Sequence, residues 1–269
     1  MTYLLSTATL ELARKLQHVR EGTATGGSAT TLIDTGRAEA DDDWNGGTLW
    51  VKVGTNNTGK SREITDWTNS TGTFLFATMT TVCAAGDTYA ASDKKFPRDL
   101  LIRAVNNALR SIGNVQAENT TLTTVADQET YTLPAGVYNV KQIHIADSLT
   151  APYEWVPQLG IWEEIPASGI IRFDTNRQPG NTGYTIRLIY QVPPTEISSD
   201  SSTISDYIDL ELLTIVGKYE AIAIKISSMD QVDKFWENEL AKAYAAMLTA
   251  KRQFPVKQYQ DHSRRKMCL

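Results

Sequence analysis

From residue 23 to about residue 92 the chain is a succession of short alternating runs cut by Gly, Asn and Asp, a texture that admits little besides a compact antiparallel β structure. The runs fall at 30–34, 48–53, 61–67, 73–77 and 88–90. Short strands at this spacing read as a small antiparallel barrel or sandwich, taken as a small β-barrel over 22–92. Trp44, Trp50, Trp67, Phe74, Phe76 and Tyr89 are its expected core, because strand alternation turns several of them inward. An exposed aromatic face that binds carbohydrate is the functional alternative for the same residues.

The flanks have helical periodicity. Leu5, Leu12, Leu16 and Val19 share a stripe over 2–20. After the strands, Pro97 suits a first helical turn, and Leu101, Val105, Ala108, Leu109 and Ile112 form a second stripe closed by Gly113. A further strand-rich stretch runs from about 120 to 192, clearest at 140–145, 153–157, 170–173 and 184–191, and the polar run 196–205 reads as a linker or loop. The longest helical pattern starts at Ser205 or Asp206 and carries Leu210, Leu213, Gly217, Ile224, Phe235, Trp236, Leu240, Tyr244 and Met247. Ser227-Ser228 interrupts it, and Ser228 with Gln231 has capping-box spacing, so two antiparallel helices are expected.

The predicted fold class is therefore α+β: a helical bundle with two antiparallel β subdomains and an extended C-terminal arm. The expected divisions are an N-terminal helix (1–21), an inserted barrel (22–92), a central helix (93–114), an antiparallel β domain (115–195), a helical pair (205–249) and a basic arm (250–269).

Two motifs invite a chemical reading. Gly54 to Ser61, GTNNTGKS, matches the phosphate-binding pattern G-x-x-x-x-G-K-S/T letter for letter. That loop works only between a strand and a helix, whose free N–H groups receive the phosphates. Residues 48–53 supply the strand, but 61–67 again alternates with period two, and Gly, Asn and Thr are equally the residues of a hairpin connection. Asp41, Asp43, Asn45 and Gly46 open like a calcium loop, yet its twelfth position, normally a bidentate glutamate, is Lys52. Both are read as turns.

Other chemistry is sparse. His18, His144 and His262 are far apart and in no metal-ligand spacing, and Glu163-Glu164 and Asp41-Asp42-Asp43 read as solvated turns. No enzyme activity, cofactor or metal is expected. Cys83 and Cys268 imply neither a disulfide framework nor a zinc site and suit assembly in a reducing cytoplasm. No leader pattern opens the sequence, and no run approaches the ~18–20 apolar residues of a membrane span. The net charge is −5, but 251–269 carries six basic residues against Asp261, leaving an acidic body of −10. That asymmetry marks the tail as an arm that docks elsewhere, the alternative being a solvated terminus.

The order of elements resembles the head-to-tail adaptor (connector) proteins of tailed bacteriophages. The resemblance is carried by GTATGGSATTLID, DDDWNGGTLWV, GTNNTGKSREITDW and AAGDTY in the inserted module, and by RAVNNALRSIG followed by TTLTTVADQETYTLPAGVYNVKQIHI. It implies a structural virion protein at the neck, assembled in the host cytoplasm into a homo-oligomeric ring, usually a dodecamer, beneath the portal. Its helical parts pack side by side, its strand domain faces tail or neck proteins, and DNA passes without sequence recognition. It further implies that the arm docks on the portal through Arg252, Phe254, Pro255, Tyr259, Arg264, Arg265 and Lys266. The runner-up is a receptor-binding or baseplate-type protein with a carbohydrate-binding barrel, and the third reading is an NTPase using Gly54 to Ser61.

Overall fold

The computed structural model describes residues 2–54, 56–205 and 207–254. They form two compact units, one from the described residues of 1–112 and 195–255, the other from 113–194. In chain order the first unit contains β1 (Tyr3–Leu4), α1 (Leu5–Leu16), β2 (Val19–Thr23), β3 (Gly26–Gly27), β4 (Thr31–Ile33), β5 (Thr48–Val53), β6 (Ser61–Thr68), β7 (Thr73–Phe76), β8 (Thr88–Ser92) and α2 (Arg98–Ile112). The second contains β9 (Val115–Thr123), β10 (Thr130–Thr132), β11 (Val140–Ala146), β12 (Trp155–Pro157), β13 (Trp162–Ile165), β14 (Ile170–Phe173) and β15 (Thr185–Val192). The chain then returns to the first unit with β16 (Thr203–Ile204), α3 (Leu210–Ser227) and α4 (Lys234–Gln253).

The inserted module is a seven-stranded antiparallel sheet in the order β2-β8-β5-β6-β7-β4-β3. It corrects the expected barrel: the ladder is open, and among the described residues no pairing joins β2 to β3. These edge strands are consecutive pieces of one stretch of chain, parted only by Ala24 and Thr25, which bond to opposite partners: Ala24 N donates to Asp87 O and Thr25 N to Ile33 O. Register shifts at Val51/Val53 and Ile64/Asp66 add curvature, as bulges do. The sheet therefore bends around its core without closing. That core is aromatic as expected: Trp44, Trp67, Phe74, Phe76 and Tyr89 are buried together with Leu49 and Ile64. Phe74 meets Trp44 and Tyr89 edge-on, with centroids 6.3 and 5.5 Å apart.

Trp50 is also buried but turns away from that cluster, and its Nε1 donates to Thr9 Oγ1 of α1 (3.1 Å). α1 is shorter than its stripe suggests. Tyr3–Leu4 pairs antiparallel with Thr203–Ile204, and Val19 already belongs to β2. Leu5, Ala8, Leu12 and Ala13 remain its buried face. Leu12 packs on Gly217 of α3, where a Cβ would lie 3.3 Å from Leu12 Cδ2, so the glycine permits a close helix approach.

α2 buries Leu101, Val105, Ala108 and Leu109, and Gly113 follows it at φ +88°. α3 is capped by Asp209, not by Ser205, because Asp209 Oδ1 accepts from the N–H groups of Glu211 and Leu212. The hairpin turn falls where expected, but Ser228 ends α3 by donating to Lys225 O, and Asp233 caps α4. Tyr219 and Tyr244, 5.6 Å apart, show the antiparallel pairing of α3 and α4.

In the second unit the sheets β12-β11-β15-β9 and β10-β14-β13 share a core of Tyr131, Ile143, Trp162, Ile171, Phe173 and Leu188. Glu163 and Glu164, read from sequence as a turn, lie in β13. Glu164 accepts from the N–H groups of Asn139 and Val140 (2.9 and 2.7 Å), and Glu163 pairs with Arg172. No helix among the described residues is long and apolar enough to cross a membrane.

Candidate functional site

Much of Gly54 to Ser61 is engaged in contacts within the fold. The segment joins β5 to β6, so the residue after the motif continues a strand where a phosphate loop needs a helix. The Gly54 N–H donates to Thr58 Oγ1, and the Thr58 hydroxyl donates back to Gly54 O, both at 2.9 Å. A Cβ on Gly54 would stand 2.8 Å from the Asp87 carboxyl, a poor neighbour for phosphate. Buried Asn57 donates to Thr81 O and Val82 O and accepts from Thr81 Oγ1, stapling the 81–83 loop. The acidic turn is similarly engaged: Asp41 accepts from Asn69 N, Asp42 from Asn45 Nδ2 and Asp43 from Ala40 N. No group of three or more metal-ligating side chains gathers among the described residues.

Ser61 opens a polar joint that the sequence does not announce. Its Oγ donates to Asp200 Oδ1 (2.7 Å) and accepts from Arg98 Nε (3.0 Å). Asp200 also accepts from Arg62 Nη1 (2.8 Å) and Arg98 Nη2 (3.2 Å). The joint ties β6, the first turn of α2 and the 195–205 segment together. Asn106 fixes the same segment by exchanging two hydrogen bonds with the backbone of Ile197. Burial pushes the Asp200 carboxyl up, but the Ser61 hydroxyl and Arg98 outweigh it, and the net direction is below the usual aspartate range. A run read as a linker is therefore anchored at both its ends. Only its polarity was visible in sequence, since the partners lie some ninety to a hundred and forty positions away.

A second cluster sits on the aromatic core. The Arg37 guanidinium lies over the rings of Trp44, Phe74 and Tyr89 at 5.1–5.6 Å. Its Nε donates to Tyr89 Oη, which itself donates to Asp34 Oδ2 (2.6 Å), while Nη1 donates to Glu39 Oε1 (3.0 Å). Burial, then the Asp34 contact, raises the Tyr89 hydroxyl above its ordinary pKa, so it stays protonated as a donor. Because the aromatic residues of the module are buried, they offer no exposed face to a sugar.

The exposed large apolar side chains of the first unit's helices lie on α4. Only Ala243, Met247 and Ala250 of this helix are buried, whereas Phe235, Tyr244 and Leu248 are 56, 47 and 41% exposed. The helical pattern leaves the partners of this helical pair open between its own chain and neighbouring subunits; Tyr244 meets Tyr219 of α3, while Phe235 and Leu248 stay exposed. α4 continues through Gln253, which places exposed Arg252 on its last turn and half-buried Phe254 at its C-cap. Ala250 is buried and Lys251 Nζ donates to Ser111 O (2.9 Å), so 250–253 belongs to the folded helix. Pro255, Tyr259, Arg264, Arg265 and Lys266 lie outside the described residues, as do His262 and Cys268. His18 is exposed, and His144 sits within β11 beside Gln142.

In comparisons with known proteins, the family model described as SU10 adaptor protein matches residues 28–266. No curated protein matches the chain.

Proposed function

The chain belongs to the SU10 adaptor protein family, a phage adaptor family, and from that premise we propose that it forms a ring beneath the portal and carries the tail. At the coarser level the family makes it a structural component of the virion, in the head-tail region. In the proposed assembly the copies form a dodecamer whose helices pack side by side. The basic arm, with Arg252, Phe254, Pro255, Tyr259, Arg264, Arg265 and Lys266, docks on the portal, and tail or neck proteins bind the opposite side. The ring extends the DNA channel, where the acidic body lets the duplex slide, since like charge withholds the phosphate contacts that dominate DNA affinity.

The observation that supports this reading is the set of exposed apolar side chains on α4. A helix that buries so few side chains in its own unit, yet presents Phe235, Tyr244 and Leu248 to solvent, has the composition of an interface. Its counterpart in a ring is a neighbouring copy. The test is electron cryomicroscopy of the protein mixed with heads that contain only the portal, alongside Phe235→Asp/Leu248→Asp and a chain truncated after Phe254. Rings on the portal with the native chain, none with the double variant, and unanchored oligomers with the truncation are expected. Portal-bound rings formed equally well by both altered chains would refute the assignment of those surfaces.

A further inference from the structure

α1 starts without a cap. Its N-cap residue is Leu4, which is committed to the pairing of β1 with β16 and has no polar side chain, and no acidic residue stands in its first turn. Leu5 N donates to Ser202 O (3.1 Å), which leaves the N–H groups of Ser6 and Thr7 without an acceptor among the described residues. The Ser6 side chain adds an independent observation. The residue is only 4% exposed, yet its Oγ makes no hydrogen bond among the described residues. It is not sealed inside the core: Ser6 borders a cavity of about 250 Å³ beside Gly59. A Cβ on Gly59 would stand 3.5 Å from Ser6 Oγ and 2.5 Å from Leu4 Cδ1, so the glycine keeps the end of the cavity that Ser6 faces uncrowded.

The rest of the wall selects the ligand. Leu4, Leu10, Trp50 and Val51 supply an apolar floor. Arg14 is held by Glu11 and Glu21, and Lys52 by Glu21, so the charged side chains of the wall are matched. What stays unmatched is the positive end of the helix, with two N–H donors and the Ser6 hydroxyl. A metal ion is repelled there. Inorganic phosphate would have to shed its water against the apolar floor, at a high desolvation cost. The volume lies below the roughly 300–1,000 Å³ of ordinary small-molecule sites, which leaves no room for a nucleotide. A carboxylate on a short aliphatic stem satisfies both parts, with its charge at the helix end and its methylene groups on the leucines.

We propose that this cavity binds an aliphatic carboxylate, whose oxygens accept from the N–H groups of Ser6 and Thr7 and from Ser6 Oγ while its stem lies against Leu4 and Leu10. A free short-chain acid and a glutamate side chain of a partner protein both offer this chemistry. With three donors and a small apolar contact, dissociation constants on the order of millimolar are expected.

The test is amide NMR of the deuterated, 15N-labelled full chain titrated with butyrate, N-acetylglutamate N-methylamide, butyramide and inorganic phosphate. The Ser6 and Thr7 amide signals and the Trp50 indole signal report on the site. Ser6→Ala removes the hydroxyl donor, and Thr7→Asp, at an exposed position, gives the helix end a carboxylate of its own. Saturable shifts of these signals with a carboxylate, weakened about fivefold or more in Ser6→Ala and abolished in Thr7→Asp, support the proposal. Binding of the glutamate derivative assigns a partner's side chain as the source, and binding of butyrate alone assigns a free acid. No shift with either carboxylate, an equal response to butyramide, a stronger response to phosphate, or a response unchanged in either variant overturns it. Should Ser6→Ala fail to fold, Thr7→Asp still decides.

Discussion

Removing the Asp200 carboxylate is the sharpest test of how the first unit is held together. In Asp200→Ala the Ser61 hydroxyl loses its acceptor, Arg62 keeps only Ser61 O, and Arg98 keeps Ser61 Oγ and a long contact to exposed Asp99. Breaking a fully buried ion pair by deleting one partner costs about 3–5 kcal/mol. Here the arginine side chains remain 24 and 20% exposed, so water recovers part of the loss and about 2–4 kcal/mol is expected. Asp200→Asn keeps the shape but turns an amide donor or a neutral oxygen toward two guanidinium groups, for a loss of about 1–3 kcal/mol. Urea unfolding followed by fluorescence measures both, since Trp44, Trp50, Trp67 and Trp236 belong to this unit. The sign with pH follows from the folded pKa lying below the unfolded value of about 3.9. The stabilisation is present in full above the usual aspartate range and is lost as pH falls through the folded pKa, so the gap between native chain and Asp200→Asn should shrink on acidification. A loss below about 1 kcal/mol in Asp200→Ala, or a gap that widens in acid, would refute the argument.

Four further outcomes rest on particular residues. Trp50→Phe deletes the bond to Thr9 and should destabilise the native state by about 1–2 kcal/mol, with Thr9→Val in the Trp50→Phe background adding little in a double-mutant cycle. Gly59→Ala places a Cβ 2.5 Å from Leu4 Cδ1 at φ +76°, so a loss of about 1–3 kcal/mol is expected by thermal or urea melting. Magnesium–ATP should leave the melting temperature of the native chain and of Lys60→Ala alike, and stabilisation lost in the variant would reinstate the phosphate-loop reading. Phe235→Asp with Leu248→Asp should change the mass measured by light scattering while leaving the unfolding midpoint nearly unchanged, because both positions are exposed.

The aromatic core was legible because alternation and turn residues leave Trp67, Phe74 and Tyr89 few places to go but inward, and they are buried there. The nature of GTNNTGKS was legible for the same reason: the residues from Ser61 onward alternate, and they form a strand. The caps of α3 and α4 were misplaced by a few residues, because several Ser and Asp residues stand near each helix start and local sequence does not rank them. The role of 196–205 was not legible at all. Asp200 gives no sign in sequence that it will meet Ser61, Arg62 and Arg98, nor does Glu164 that it will receive two backbone N–H groups from residues 139 and 140.

By itself the sequence determined the four helices and the main strands and their order, because hydrophobic period and turn chemistry are local properties that each segment carries within it, whereas the short strands at Tyr3–Leu4 and Thr203–Ile204 exist only through their pairing with each other. It also determined the acidic body and basic tail, which depend on composition alone. Only the tertiary structure decided that the seven strands bend into an open sheet whose edges are neighbours in the chain, since closure depends on bulges and on pairing across long separations. It likewise decided which polar side chains are spent inside the fold and which, like those beside Arg37, keep unused hydrogen-bonding capacity, because satisfaction of a polar atom is a property of its three-dimensional neighbours.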